Sequence, residues 1–244
     1  MKCCLLLLVL WLPLWGVAAP LTLVAGDFSP YTGESLPQGG LSTRLVRAVF
    51  EEAGWEEPNI AFMPWSRGYK QARLGIVAAT FPYAWNAERA GQFLYSAPIH
   101  FDHLLWFSRK ENKKAAKGEW KGMRLCIPKG WNTAHAAEAI KRYSLRLEQP
   151  LELERCLELV MVGRADLIAM NERVIGEACM QEFRHRECLQ RLPFYPQTDS
   201  FYLIMSRSYP DAPAFIERFN TALASLRADG RYDRILLEGF APAE

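Results

Sequence analysis

The residue with the clearest chemical potential is Arg89, which closes an aromatic segment in the stretch 80–99, TFPYAWNAERAGQFLYSAPI. Phe81, Tyr83 and Trp85 precede it, and Phe93-Leu94-Tyr95 and Ser96-Ala97-Pro98 follow. The order reads as loop, arginine, strand, turn. A guanidinium presents a planar fork of donors that matches a carboxylate or phosphate. Aromatic faces beside it can cover the apolar part of a small molecule. A surface arginine beside core aromatics is the plainer alternative. Two further loops mix aromatic and polar residues in the same way: 27–33 with Phe28 and Tyr31, and 64–67 with Trp65 and Arg67.

The elements that would position these loops can be read from periodicity. Residues 21–25, LTLVA, form a buried strand. Residues 41–53 carry an apolar stripe of Leu41, Leu45, Val46, Val49 and Phe50, with Ser42 as candidate cap, and Gly54 stops the helix. A second strand over 59–63, a helix over 64–74 opened by Pro64, and a third strand over 76–80 follow. Alternating strand and helix predicts a parallel sheet with helices on its faces. Ligands in such sheets sit at the carboxyl ends of the strands, where the three loops lie.

A second alternation begins after a strand-like run at 104–107 and a charged segment at 110–121 that reads as a solvated loop. It comprises a strand at 124–128, a loop at 129–133, a helix at 134–143 with Asn132 or Thr133 as cap, and a strand at 145–147. A helix over 151–162, a strand over 166–170 and a helix over 171–183 complete it. Residues 192–195 and 200–205 are extended, and helices over 211–229 and 232–237 end the chain. Two α/β units joined by strand-like links near 103–107 and 198–202 make a two-lobe hinge layout. The expected division is lobe I from 20–103 and 201–244, and lobe II from 104–200.

Composition narrows the class. Lys+Arg 29 against Asp+Glu 27 gives a net charge of +2, which offers no nucleic-acid footprint. Lys2, the apolar run 3–12 and the small residues Val17-Ala18-Ala19 before Pro20 read as a secretory leader of residues 1–19. Retention as an anchor is the alternative. Cleavage would leave four cysteines outside the cytoplasm, an even count in an oxidising compartment. Cys179 and Cys188, nine residues apart, are expected to pair; Cys126 and Cys156 pair if the fold brings them together. His100, His103, His135 and His185 are scattered and the cysteine spacings fit no zinc pattern, so no metal or cofactor is expected.

Several segments, taken in order, carry a resemblance: VAGDFSPYTG, GLSTRLVRAVFEEAG, ERAGQFLYSAPI, GMRLCIPKGWNT and GRADLIAMNE. Together they resemble the extracytoplasmic solute-binding proteins of family 3, the amino-acid-type group that feeds ABC importers. The resemblance implies a type II periplasmic-binding-protein fold, α/β, with two lobes closing on a small-molecule solute, in a periplasmic monomer. It implies that Arg89 grips an α-carboxylate and that Thr133 helps hold it. In many amino-acid binders of the group an acid follows the strand of the GRAD segment and pairs with the α-amino group; here that position is Asn171, followed by Glu172. Tyr31, Trp65, Arg67 and Tyr83 complete the expected ligand-binding set. Two alternatives share the scaffold. One is a secreted enzyme of the cyclohexadienyl-dehydratase type, for which Glu34 and Glu172 are the candidate acid–base groups; the other is a soluble sensory module for a membrane receptor. No catalytic residue is expected.

Overall fold

The computed structural model describes residues 21–239, so the expected leader lies outside the described residues. The chain runs β1 (Thr22–Ala25), α1 (Leu41–Glu52), β2 (Asn59–Phe62), α2 (Trp65–Arg73), β3 (Ala79–Ala84), α3 (Ala87–Ala90) and β4 (Phe93–Tyr95). It continues through β5 (His100–Ser108), α4 (Lys113–Ala116), β6 (Arg124–Cys126), α5 (Ala137–Tyr143), β7 (Arg146–Glu148), α6 (Leu153–Met161), β8 (Leu167–Asn171) and α7 (Glu172–Phe183). The last elements are β9 (Gln190–Ser206), α8 (Ala212–Ala228) and α9 (Arg231–Gly239).

The strands form one mixed sheet in the order β2-β1-β3-β9-β5-β8-β6-β7, with β4 also on β9. β1 pairs in parallel with β2 and β3, as βαβ units require; β6 pairs in parallel with β7 and β8 in the second half. β5 and β9 run antiparallel and join the two halves.

Leu23 and Val24 on β1 are fully buried because both faces of a central parallel strand are covered. The α1 stripe packs Leu45, Val46, Val49 and Phe50 into the same core as Phe219 and Leu223 of α8. Each such side chain contributes about 1.5–3 kcal/mol on burial. A second core gathers Trp106, Trp120, Leu125 and Ile127 in the other half.

Four local expectations are corrected. Ser42 does not cap α1: Gly40 holds that position with φ +92°, and Ser42 Oγ, inside the helix, bonds His100 Nε2 at 2.8 Å. A Cβ at Gly40 would also lie 2.6 Å from the Tyr31 carbonyl oxygen, so only glycine fits. The third strand occupies 79–84 rather than 76–80, so Phe81 and Tyr83 belong to β3 and not to a loop. The charged segment 110–121 is not wholly solvated: Trp120 is buried and its Nε1 donates to the Ala115 carbonyl at 2.8 Å. The two extended pieces near the C-terminus are one strand, β9, interrupted by a bulge. Leu104 pairs with Gln197 but Trp106 with Leu192, so residues 193–196 are extruded. Pro193 and Pro196 have no N–H to give the ladder, and Tyr195 takes φ +49°. The bulge places Phe194 edge-on against Trp120, with ring centroids 5.2 Å apart.

Two disulfides staple the second half. Cys126 on β6 joins Cys156 on α6, and Cys179 on α7 joins Cys188. The fold thus brings Cys126 and Cys156 together. Among the described residues no helix is long and apolar enough to cross a membrane.

Candidate functional site

A cleft of about 870 Å³ opens between the halves of the sheet. One wall comes from the loops after β1, β2 and β3, the other from the loops after β6 and β7, and β5, β8 and β9 form the floor.

Arg89 lies on this cleft. Asn86 caps the short helix α3, its Oδ1 accepting from the Arg89 backbone N at 3.1 Å, and this fixes where the arginine starts. Its Nη1 donates to the Ala84 carbonyl at 2.6 Å, and its guanidinium carbon sits 4.7 Å from the Tyr83 ring centroid. Its Nε is buried without a partner. Tyr83 stands edge-on to Trp65 at 5.3 Å, and Trp65 Nε1 donates to the Asp27 carbonyl at 3.1 Å. Burial raises the Tyr83 hydroxyl above its usual value, with Arg89 pulling the other way.

The opposite wall supplies Lys129, Trp131, Asn132 and His135. Trp131 meets Phe28 edge-on at 5.4 Å, a contact between the two walls. Burial holds His135 down to about 4, against the pull of the Ala169 carbonyl, so the imidazole is neutral at physiological pH. Asn171, at the end of β8, is 4% exposed and faces the cleft floor. Tyr83 Oη, Arg89 Nε, His135 Nε2 and Asn171 Nδ2 are all buried polar atoms with no hydrogen-bond partner, and all belong to residues lining this one cleft. Unpaired buried polar groups are costly, so their convergence marks a place built to receive a polar molecule.

Of the residues singled out in the sequence, the cleft brings together Arg89, Trp65, Tyr83 and Asn171. It does not include three others. Tyr31 is fully buried behind the wall, stacked on His100 at 4.3 Å, and its hydroxyl donates to Asp102 Oδ2 at 2.6 Å. Arg67 is exposed on α2, away from the cleft lining. Thr133 stands beside the wall and makes no capping bond; Asn132 Oδ1 instead accepts from the Ala134 N at 3.1 Å. Glu34 lines the cleft, whereas Glu172 lies outside it, paired with Arg191 at 3.2 Å.

Sequence reasoning missed Trp131, His135 and Asp199. Trp131 was visible as an aromatic in a loop at a strand end. Asp199 carried a weaker signal, an acid in the alternating row Gln197, Asp199, Phe201. A larger groove, about 1230 Å³, runs past Arg44, Glu172, Arg173 and Arg191. Its charges are largely spent on one another, as in Arg44–Glu238 at 2.7 Å and Arg191–Glu172. The smaller cleft, with its unpaired polar groups, is the better candidate.

The model of the bacterial extracellular solute-binding proteins, family 3, matches residues 23–240. The chain belongs to this family. Among curated proteins none matches it. Solved structures share its fold. The GluR0 ligand-binding core from Nostoc punctiforme, in complex with L-glutamate, is similar with a TM-score of 0.74 at 17% identity, over 91% of this chain and 100% of that one. The arginine-, lysine-, histidine-binding protein ArtJ from Geobacillus stearothermophilus gives 0.72 at 16% identity, over 92% and 96%. A histidine kinase sensor domain with similarity to periplasmic binding proteins gives 0.72 at 22% identity, over 91% and 96%. These identities speak for the fold alone. It is the α/β, two-lobe periplasmic-binding-protein fold of type II, with β5 and β9 as its two crossings.

Proposed function

We propose that this family 3 protein captures a small, carboxylate-bearing, amino-acid-like solute between its lobes and delivers it to an ABC-type importer. The observation that carries the reading is Arg89: a guanidinium on the cleft, backed by Tyr83 and flanked by Trp65. Its fork suits a carboxylate, and the aromatic wall suits the apolar remainder of a small molecule. Asn171 and His135 offer neutral polar groups from the floor and the far wall. Thr133, one residue from the wall at Asn132, is the position to examine for a second carboxylate contact. The working division is lobe I from 20–103 and 201–244, lobe II from 104–200, with residues 1–19 removed on export to the periplasm and the mature chain acting as a monomer.

Thermal unfolding of the chain 20–244 with the amino acids, small organic acids and short peptides tests this. A ligand that binds only the folded state at 100 times its dissociation constant adds about 2.7 kcal/mol. A stabilising compound recovered unchanged after incubation supports capture and names the solute class. A compound that is consumed points to an enzyme, with Glu34 as the acid–base candidate in the cleft. No stabilisation by any carboxylate overturns the reading. A sensory role would differ in the membrane partner and leave these outcomes the same.

A further inference from the structure

Holding a carboxylate settles only one end of an amino-acid-like solute. Among the described residues, the carboxylates on the cleft are Asp27, Glu34, Glu152 and Asp199, and Asp199 alone lies on its floor. Leu104 of β5 pairs with Asn171 on one side and with Gln197 on the other. Asp199 is two residues beyond Gln197, on the same face, and so sits diagonally beside Asn171.

Among the described residues Asp199 makes no ion pair, and the nearby Arg173 charge acts on Asp102. The partner of Asp199 across the ladder is Asp102, another acid. Asp102 spends both oxygens within the protein, Oδ2 on the Tyr31 hydroxyl at 2.6 Å and Oδ1 on the His103 N at 2.7 Å. Asp199 has no such bonds among the described residues. The Asn171 amide approaches it and favours its ionised form, yet Nδ2 falls short of hydrogen-bond geometry to any group. Burial and the Asp102 charge both work against ionisation. A half-buried carboxylate facing a like charge is unfavourable by itself and becomes favourable when a cation is brought to it.

We propose that Asp199 receives the ammonium group of the bound solute, which is therefore a zwitterion or an amine-bearing acid held between Arg89 and the β9 strand. Asn171 then hydrogen-bonds the same end without carrying charge. The inference rests on the carboxylate-capture reading above and adds the second recognition element.

Calorimetric titration of the chain 20–244 with the twenty protein amino acids identifies the tightest one. That compound is compared with its deamino acid, which has hydrogen in place of the α-amino group. Asp199→Asn should weaken the amino acid about 100-fold, and the deamino acid by less than about threefold. Asp199→Glu, which keeps the charge, should retain more affinity than Asp199→Asn and guards against a purely steric effect. Arg89→Ala should weaken both compounds. If Asp199→Asn binds the amino acid like the wild type, or if the wild type binds the deamino acid equally well, the assignment of Asp199 fails while carboxylate capture stands. If the wild type binds no member of either series, both fall together.

Discussion

Asp199 on β9 stands directly opposite Asp102 on β5, so the pair of strands that joins the two halves of the sheet carries two facing acids. Asp102 is 4% exposed and tied to Tyr31, and burial raises its carboxyl above the usual value. Burial raises Asp199 too, with Asp102 adding to the shift. A carboxyl whose folded-state pKa is raised binds its proton more tightly in the folded chain. Its ionised form then costs stability above that folded value, and the cost vanishes below the ordinary value of 3.8. Asp199→Asn should therefore raise the melting temperature at pH 7.5, and the gain should shrink steadily on acidification. A lower melting temperature at pH 7.5 would show that Asp199 is stabilising in the free protein.

Arg89 has one nitrogen committed to the Ala84 carbonyl and another, Nε, buried without a partner. Arg89→Ala should cost about 3 kcal/mol in solute binding, roughly 100-fold in Kd, read by calorimetry. The melting temperature of the free protein should move little, because the arginine is only part-buried and makes no ion pair among the described residues. Arg89→Lys should recover only part of the affinity, since an ammonium lacks the planar fork.

Trp65 is seated on a glycine. A Cβ at Gly26 would come 2.5 Å from Trp65 Cδ2, closer than any real packing allows. Gly26→Ala should push the indole out of the cleft wall, break its bond to the Asp27 carbonyl and weaken solute binding about tenfold or more. A change in tryptophan fluorescence should accompany the loss. Unaltered affinity would remove Trp65 from the recognition surface.

His100 is 1% exposed, stacked between Tyr31 and Phe201, with Nε2 bonded to Ser42 Oγ. Burial holds it down to about 3 from 6.5, and the charge of Arg173 acts in the same direction. The unfolded chain thus binds a proton between pH 6.5 and 3 that the folded chain refuses, and stability falls as pH drops through that window. At pH 5 the loss from this residue alone is about 2 kcal/mol. Urea unfolding at pH 7 and pH 5 should show it, and His100→Gln should lessen the difference between the two.

The two disulfides close loops of different length, with partners 30 and 9 residues apart. In the chain-entropy account the longer loop stabilises more, by about 1 kcal/mol. Replacing Cys126 and Cys156 with alanines should lower stability more than replacing Cys179 and Cys188, as measured by denaturant midpoints. The reverse order would place the difference in native packing.

The order of elements, the apolar stripe of α1 and the even cysteine count were legible in the chain, because each depends on residues close together in sequence or on simple counting. Arg89 was legible for the same reason, standing between its aromatic run and a strand and turn. Tyr31 lies behind the wall because the Asp102 carboxylate, 71 residues away, accepts from its hydroxyl, a partner that its sequence neighbours do not reveal. β9 read as two pieces because local propensity sees Pro193 and Pro196 as breaks, whereas the tertiary ladder tolerates them as a bulge. Trp131, His135 and Asp199 became a site only when three chain segments met across the cleft. The sequence by itself determined the alternating α/β pattern, the family segments and the arginine, all products of local spacing. The tertiary structure alone decided which side chains face the cleft and which acids face each other, because side-chain direction is set by strand register, and register is fixed by pairing between residues far apart in the chain.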